Sequence, residues 1–579
     1  MKRFKDRWEY LLAYNDNDVE IMIKPIDELI DLNAKYGVDM LDNLSLSRNS
    51  SEAKYSCMYR GFDPNINYDI INKVNTFKPT MKWWNYKCDR YYDQDVKFNS
   101  KHSHCELGKT KNKGPLRDLD RCVCSDDFDE FMKMYNDKEL GKCHLCGEHF
   151  TYDNRPTLDR INNDIGHELS NCKLACEVCN RLRSKSDPQV TRLRIQLKKF
   201  CKLNHFPTTI SDEHEYYRLR EGITGGLSNV MHRVNLRGIT HINRFHFDET
   251  TNKVISMDTD NVVSHVIGID FNSLYPSVCS STKHPFNPYH GGIMYMPGSL
   301  TNTFECYDQN GKVNETIKQK CMNIIHSQNR FKPDPQYIFH TTVILECPKN
   351  LINEFINFPP VFRNFTIKND PKTIGQYMYT YGKSNHIHSI DKSDTKLTMT
   401  VDTMHEFKGF GCYYLWFLID HGLKVIDIKS VSLYDCHRGF NTFVNEFMNN
   451  RIEIISGNVK GNEKFFKISM NGSYGYDGLN SEHYNKIKIV DSNKAYQSII
   501  SDTYMNGVPL SEDSYLIQSQ PKSFRCKTCI QEFFSSLSIM PSSGILRSSM
   551  TFYSNVLTLI DCISLLVIQI VVTLLLLGT

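Results

Sequence analysis

The sequence predicts an α+β fold, and three observations carry that prediction. From Val254 onward, short β-rich runs alternate with helical patterns; a Cys-bounded module over 143–180 is followed by a basic amphipathic segment; and Leu11 to Asn33 sets apolar residues at helical spacing among acids. With 579 residues the chain has room for about four domains. At 40% hydrophobic and 23% charged residues it has the material for a sizeable core, which excludes collagen, low-complexity disorder and a polytopic membrane protein. Lys+Arg 69 against Asp+Glu 66 nearly cancel, so nucleic-acid binding has to come from local basic patches. Twenty cysteines fall short of a disulfide scaffold, and their C-x-x-C pairing points to metal in a reducing, intracellular compartment. The opening Met-Lys-Arg-Phe-Lys-Asp-Arg-Trp carries charge without an apolar h-region, so no signal peptide is expected.

Taken in order, residues 1–45 place Val19, Ile21, Met22, Ile26, Leu29 and Ile30 at helical spacing around Pro25, which predicts two short helices. Residues 46–140 are polar, Asn-rich and aromatic-rich, with Trp83-Trp84 and Tyr91-Tyr92, and show no internal division. Residues 141–205 hold Cys143-His-Leu-Cys146 and Cys176-Glu-Val-Cys179, the ligand set of a closed tetrahedral zinc site. A helix follows from Pro188, rich in cations such as Arg192, Arg194, Lys198, Lys199 and Lys202, which would contact phosphates without reading sequence. His102, His104, Cys105, Cys122 and Cys124 offer a second, irregularly spaced metal set. Gly225-Gly226 marks a linker. The α+β segment 220–535 then begins, with a buried strand His265 to Asp270, a helix Phe410 to Gly422 and a strand Val425 to Leu433.

Two motifs in this segment carry chemistry. Asp270-Phe-Asn-Ser-Leu-Tyr-Pro-Ser277 ends an apolar strand; a carboxylate there, followed by a turn with outward N–H groups, suits Mg²⁺ and a triphosphate, with the Tyr275 ring under the sugar. In Lys467-Ile-Ser-Met-Asn-Gly-Ser-Tyr-Gly475 helical steps of four and three bring Lys467, Asn471 and Tyr474 onto one face, offering a cation, an amide and a ring to one nucleotide.

D-x-x-S-L-Y-P-S followed by K-x-x-x-N-x-x-Y-G resembles motifs A and B of family B DNA polymerases, particularly the protein-primed branch of viruses, linear plasmids and large mobile elements, over roughly residues 220 to 530. The resemblance implies a palm and fingers fragment of a nucleotidyltransferase. It implies that Asp270 binds both catalytic Mg²⁺ ions, that Phe271, Asn272, Ser273, Leu274 and Tyr275 form the nucleotide floor and steric gate, and that Lys467 and Arg451 hold the triphosphate with Asn471 and Tyr474 beside them. The implied partners are a DNA primer-template, a dNTP and a terminal protein primer. Gly472 departs from the Ser usual in the family and loosens its helix by about 1 kcal/mol relative to Ala. Tyr14 and Asp18 resemble the third exonuclease motif, Y-x-x-x-D, and mark residues 1–45 as the end of an exonuclease domain; without the paired acids of its first motif, proofreading is not expected.

Leu158-Asp-Arg-Ile161, Gly166-His167, Asn171 and Asn180, between and after the knuckles, resemble the HNH nuclease pattern in its L-D-R-I variant, a ββα-metal hairpin. The resemblance implies Asp159 as metal ligand, with Arg160 where the base His is usual and His167 as its substitute. A structural zinc module with DNA-binding duty and an active HNH endonuclease both remain open at this point, each attached to a polymerase that does not turn over.

The family's third motif, D-T-D-S, supplies a second catalytic carboxylate, and it is missing in frame. Asp258-Thr-Asp260 precedes motif A, continues Asn261-Val-Val and predicts a turn. The chain instead ends in an apolar run, Cys562 to Leu577, which hydropathy alone reads as a transmembrane tail anchor, although about 20 apolar residues are needed and Gln569 interrupts it. Back-translated and read one base over, Val567 to Val571 can become D-T-D-S within the choices the degenerate code leaves free: GTG, ATA, CAG, ATA and GT would regroup as GAT, ACA, GAT and AGT. Residues 536–579 are therefore expected to be out-of-frame palm sequence from a slip near Ser536, and the chain as it stands is expected to lack catalysis.

Overall fold

Pro25 lies inside one continuous helix, Arg7–Ala34, where the sequence predicts two. The Asp6 side chain caps its start, accepting from the N–H groups of Trp8 and Glu9 at 2.9 Å each. Its far end is held by packing: Asn33 is buried and donates to the Leu29 carbonyl at 2.8 Å, and Leu29 and Leu32 lie against the main core. This packing reaches only the helix's last turns: Pro25 and its neighbours are exposed, so the helix continues through the proline without tertiary support there.

The computed structural model describes residues 5–43, 45–103, 116–207, 210, 212–223, 234–271, 273–284, 287–357, 359–479, 486–501, 504–519 and 568–575. The chain divides into two units, residues 61–205 and residues 1–60 with 206–579. Helices and strands are mixed throughout, as an α+β fold requires.

The larger unit is built on a four-stranded antiparallel sheet in the order Lys408–Gly411, Ile338–Glu346, Lys424–His437, Met296–Glu305. The predicted Phe410 to Gly422 helix starts two residues late, at Cys412–Asp420, because Phe410 belongs to the edge strand. Cys412 through Leu418 are all buried in the main core, which explains why this segment reads as apolar on every face. Asp258-Thr-Asp260 is not a turn: it lies within the strand Lys253–Val262, paired with His241–Asp248, where Asp258 opposes Asn243 and accepts from its amide at 3.1 Å.

The helix Leu46–Met58, invisible in the sequence pattern, packs along Glu463–Asp477. Lys54 and Asp477, each with 1% of its side chain exposed, form a buried ion pair between them, and the Lys54 ammonium lies 4.7 Å from the Phe440 ring centroid. Gly472 finds its explanation here. A Cβ at that position would meet the Cα and Oγ of Ser47 at 3.3 Å, so the glycine permits the close approach of the two helices.

The motif A strand, Val266–Phe271, pairs antiparallel with Ile568–Leu575 and is not part of the four-stranded sheet. The apolar tail is extended over 568–575, not the helix that hydropathy alone suggests, and among the described residues no helix is long and apolar enough to cross a membrane. Alternating strand geometry accommodates Gln569 without breaking the element. The Gly225-Gly226 linker, the slip point near Ser536 and the rest of the tail lie outside the described residues.

In the smaller unit the helices Met81–Ser103 and Phe128–Asn136 share an aromatic core, with Trp84 stacked on Phe131 at 4.4 Å. The hairpin Pro156–Arg160 with Cys172–Cys176 is followed by the helix Glu177–Arg183, giving a ββα order, and the basic helix runs Pro188–Leu203 behind an Asp187 N-cap.

Candidate nucleotide site and metal centre

At the end of Val266–Phe271 the backbone turns through Ser273 in the left-handed region (φ 50°, ψ 46°) and enters the short helix Leu274–Cys279. A non-glycine residue held there costs of order 1–3 kcal/mol and persists only where its surroundings fix it. The fixing contacts come from two helices, Asn441–Ile455 and Glu463–Asp477. The Tyr275 and Tyr474 rings stack face to face, 4.0 Å between centroids and 11° between planes. Arg451 Nη1 lies 3.5 Å from Ser273 Oγ, and its Nε donates to Glu463 at 2.7 Å. On the outer face of Glu463–Asp477, Lys464, Lys467 and Asn471 are exposed, while Phe465, Phe466, Ser469, Met470 and Ser473 point inward. Lys464, which the motif pattern passes over, adds a cation one turn before Lys467 and two before Asn471. Asp270 and Phe271 are described as backbone only, with Asp270 directly opposite Gln569 in the strand pair; Asn272 lies outside the described residues.

Tyr14 and Asp18 lie on the Arg7–Ala34 helix; Tyr14 is exposed, its ring 6.4 Å from that of Tyr10, and no group of carboxylates able to hold a metal gathers around Asp18 among the described residues.

The second centre lies in residues 61–205. The Sγ atoms of Cys143, Cys146, Cys176 and Cys179 are all within 4.8 Å of one another and all four residues are buried. Four sulfurs bound at about 2.3 Å in a tetrahedron sit about 3.8 Å apart, and Cys146 Sγ to Cys176 Sγ is 3.8 Å. Burial opposes a thiolate here, but hydrogen bonds from Cys146, Cys176 and Cys179 overcome it and hold Cys143 well below the usual thiol range. This cluster could hold a metal ion, and among the described residues it is the one such group. Of the second predicted set, two residues are described in full. Cys122 donates to Asp95 at 3.7 Å and Cys124 is exposed, while His104 and Cys105 lie outside the described residues and only the backbone of His102 is described.

The nuclease-pattern residues do not converge. Asp159 is buried, 2.8 Å from His144 Nε2 and paired with the equally buried Arg183. His167, expected beside it, instead packs on Tyr91 at 4.6 Å and sits 3.1 Å from Asp95 through Nδ1. Burial lowers the His167 pKa, Arg160 and Arg117 add to that, and Asp95 opposes it. Asp95, fully buried, is held down to about 2: burial pushes its pKa up, and the His167 hydrogen bonds and the Arg160 charge more than reverse that. Asn171 braces the hairpin loop, donating to the carbonyls of Asn162 and Gly166 at 3.0 and 3.1 Å. Asp159 is thus paired with Arg183 and His144, and His167 with a different acid, Asp95. Asp95 lies far before the knuckles, and no local spacing points to it.

The basic helix is also less free than its charge suggests. Arg192 bonds Asn67 at 3.0 Å, Lys199 pairs with Glu148 at 2.8 Å and Lys202 with Asp69 at 3.3 Å, so these cations hold the unit together.

No protein-family profile matches the chain, and no curated protein matches it. Among solved structures it is similar to the orthorhombic crystal form of Phi29 DNA polymerase, at 13% identity and a TM-score of 0.27, covering 64% of this chain and 51% of that one. It is likewise similar to the ternary complex of that polymerase with primer-template DNA and incoming nucleotide substrates (10%, 0.27) and to its binary complex with primer-template DNA (11%, 0.28, 72% of this chain and 56% of that one). The chain spans about half the length of these proteins.

Proposed function

We propose that residues 220–535 are the palm and fingers of a protein-primed family B DNA polymerase, binding a deoxynucleoside triphosphate and primer-template DNA. One observation carries this reading: the Tyr275–Tyr474 stack joins the motif A turn to the motif B helix, two segments far apart in the chain, with Arg451 beside Ser273. In the reaction of such an enzyme the primer 3′-hydroxyl attacks the α-phosphorus and pyrophosphate leaves. The chain's own parts for it are Lys467 and Arg451 against phosphate charge, Asn471 and Tyr474 beside the base pair, and Tyr275 under the sugar. Terminal-protein priming would come with the same family.

Lys467 is exposed and belongs to no ion pair among the described residues, so replacing it tests the reading without disturbing the core. Lys467→Ala is expected to weaken dATP binding about tenfold or more in isothermal titration, through loss of a charge-assisted phosphate contact. Unchanged affinity would sink the assignment.

The two Mg²⁺ ions of this chemistry need carboxylates on both sides. Motif A supplies Asp270, and the residue at the facing register position of the paired strand is Gln569, which carries no carboxylate. Binding without turnover is therefore the expected behaviour. The register and the shifted reading agree on a repair: writing D-T-D-S over 567–570 places its second acid at Gln569. The chain carrying Val567→Asp, Ile568→Thr, Gln569→Asp and Ile570→Ser is expected to extend a primer in Mg²⁺ where the unaltered chain does not. Transcript sequencing that finds an intact frame with no alternative D-T-D-S would remove the basis for this expectation.

For residues 61–205 the reading is a structural zinc module contacting DNA: four thiolates in closed array are a zinc donor set, and Arg181, Lys185, Arg194 and Lys198 remain exposed for phosphate.

A further inference from the structure

Residues 361–400 leave the main core as a long hairpin, Val361–Lys368 against Ser393–Thr400, whose connection carries the helices Pro371–Ile374 and Gln376–Ser384. The connection is braced from within. Asn369 is buried and donates to the Ser389 carbonyl at 3.0 Å and to Asp394 at 2.9 Å. The Tyr379 hydroxyl donates to Asp391 at 3.0 Å, and Lys383 pairs with Asp391 at 2.5 Å. Gly382 is buried against Ile390, where a Cβ would meet its Cδ1 at 2.5 Å. The helix Gln376–Ser384 is thus seated through Tyr379, Gly382 and Lys383. Its other side presents Tyr377, Met378 and Tyr381, at 79%, 49% and 50% exposure.

The charges divide in the same way. The segment holds six basic residues and three acids. Asp391 and Asp394 are used in the bonds above, and Asp370 caps the first short helix by accepting from the Thr373 N–H at 3.0 Å. Arg363 pairs with Glu406 and Lys383 with Asp391. Lys368, Lys372, Lys392 and Lys396 are left exposed and outside every ion pair among the described residues. Lys396 stands opposite the exposed Phe365 across the hairpin.

We propose that this hairpin is a docking surface for single-stranded nucleic acid, with Tyr377 and Tyr381 stacking on bases and the four lysines tracking the phosphates. Exposed rings one helical turn apart within an excess of cations form the combination that single strands recognise, since every base offers a face and every linkage a charge. A duplex fits less well. Its bases are already stacked, and the outer side of this nine-residue helix carries two tyrosines and a methionine rather than the Arg, Asn or Gln that read groove edges. The surface is separate from the Tyr275–Tyr474 site and does not depend on the polymerase reading.

The test uses the full chain and fluorescein-labelled oligo(dT). Ultraviolet cross-linking followed by peptide mapping is expected to mark Tyr377 or Tyr381. Tyr377→Ala/Tyr381→Ala is expected to weaken oligo(dT) binding about tenfold or more, and Lys368→Gln/Lys396→Gln to flatten the dependence of affinity on salt. All four side chains are exposed, and an unchanged melting temperature and circular dichroism spectrum confirm that the variants fold. Lys467→Ala is expected to keep the cross-link, which separates failure here from failure at the nucleotide site. Cross-links confined to residues outside 361–400, unchanged affinity in the tyrosine pair, equal loss of duplex and single-strand binding, or a tyrosine variant that changes only self-association would each overturn the proposal.

Discussion

Chelating metal from the four-cysteine cluster is expected to unfold residues 61–205 while the sheet-bearing unit stays folded. The cluster ties the loop at Cys143–Cys146 to the end of the hairpin and the start of the Glu177–Arg183 helix, and the surrounding helices supply a modest aromatic core of their own. Metal binding in small all-thiolate sites is worth about 10–16 kcal/mol of apparent folding free energy near neutral pH, which exceeds what a unit of this size ordinarily keeps in reserve. Trp83 and Trp84 lie in this unit, so their near-ultraviolet signal is the reporter. Expected results are one zinc per chain on isolation, loss of that signal with a strong chelator under reducing conditions, recovery when zinc returns, and the same loss without chelator in Cys176→Ser. A chain isolated without metal, with its tryptophan signal intact, would contradict the assignment.

The second large effect comes from the Lys54–Asp477 pair. Asp477→Leu leaves an ammonium almost wholly excluded from water beside Phe440 and Tyr55, and removing one member of such a pair costs about 3–5 kcal/mol. Lys54→Met/Asp477→Leu replaces both charges by apolar groups of similar size and is expected to recover most of that loss. Because Asp477 ends the helix that carries Lys467 and Tyr474, the single variant is also expected to weaken dATP binding and the double variant to restore it. Urea unfolding and titration on the same three proteins check both parts. A single variant costing less than about 1 kcal/mol would show that the helix is seated by its apolar contacts alone.

What could be read from the sequence was local. The motif A turn follows from one strand end and the four cysteines from two short knuckles, whereas the helical period that put Lys467, Asn471 and Tyr474 on one face does not show that Lys467 and Asn471 are exposed while Tyr474 is buried against Tyr275. The Leu46–Met58 helix is hard to read from the sequence because polar Asn49, Ser50, Ser51 and Lys54 are buried alongside Ala53, Cys57 and Met58, which dilutes the apolar period. Its partner Asp477 lies 423 residues away, beyond the reach of any spacing argument. His167 was misplaced for the same reason, since Asp95 claims it from 72 residues upstream. Pro25 marks no break because the helix continues through it, and the cations of the basic helix are partly used by Glu148 and Asp69, which a charge count does not show. The extended form of residues 568–575 cannot be read from hydropathy, since an apolar strand and an anchor helix share one composition.

The central claim is that the motif A turn and the motif B helix share one nucleotide. A photoreactive dATP analogue, cross-linked to the full chain and located by peptide mapping, tests it most directly. The account predicts label on the peptides holding Tyr275 and Lys467 to Tyr474, competed away by unlabelled dATP. Label confined to peptides outside these two segments, or none that dATP displaces, would contradict it.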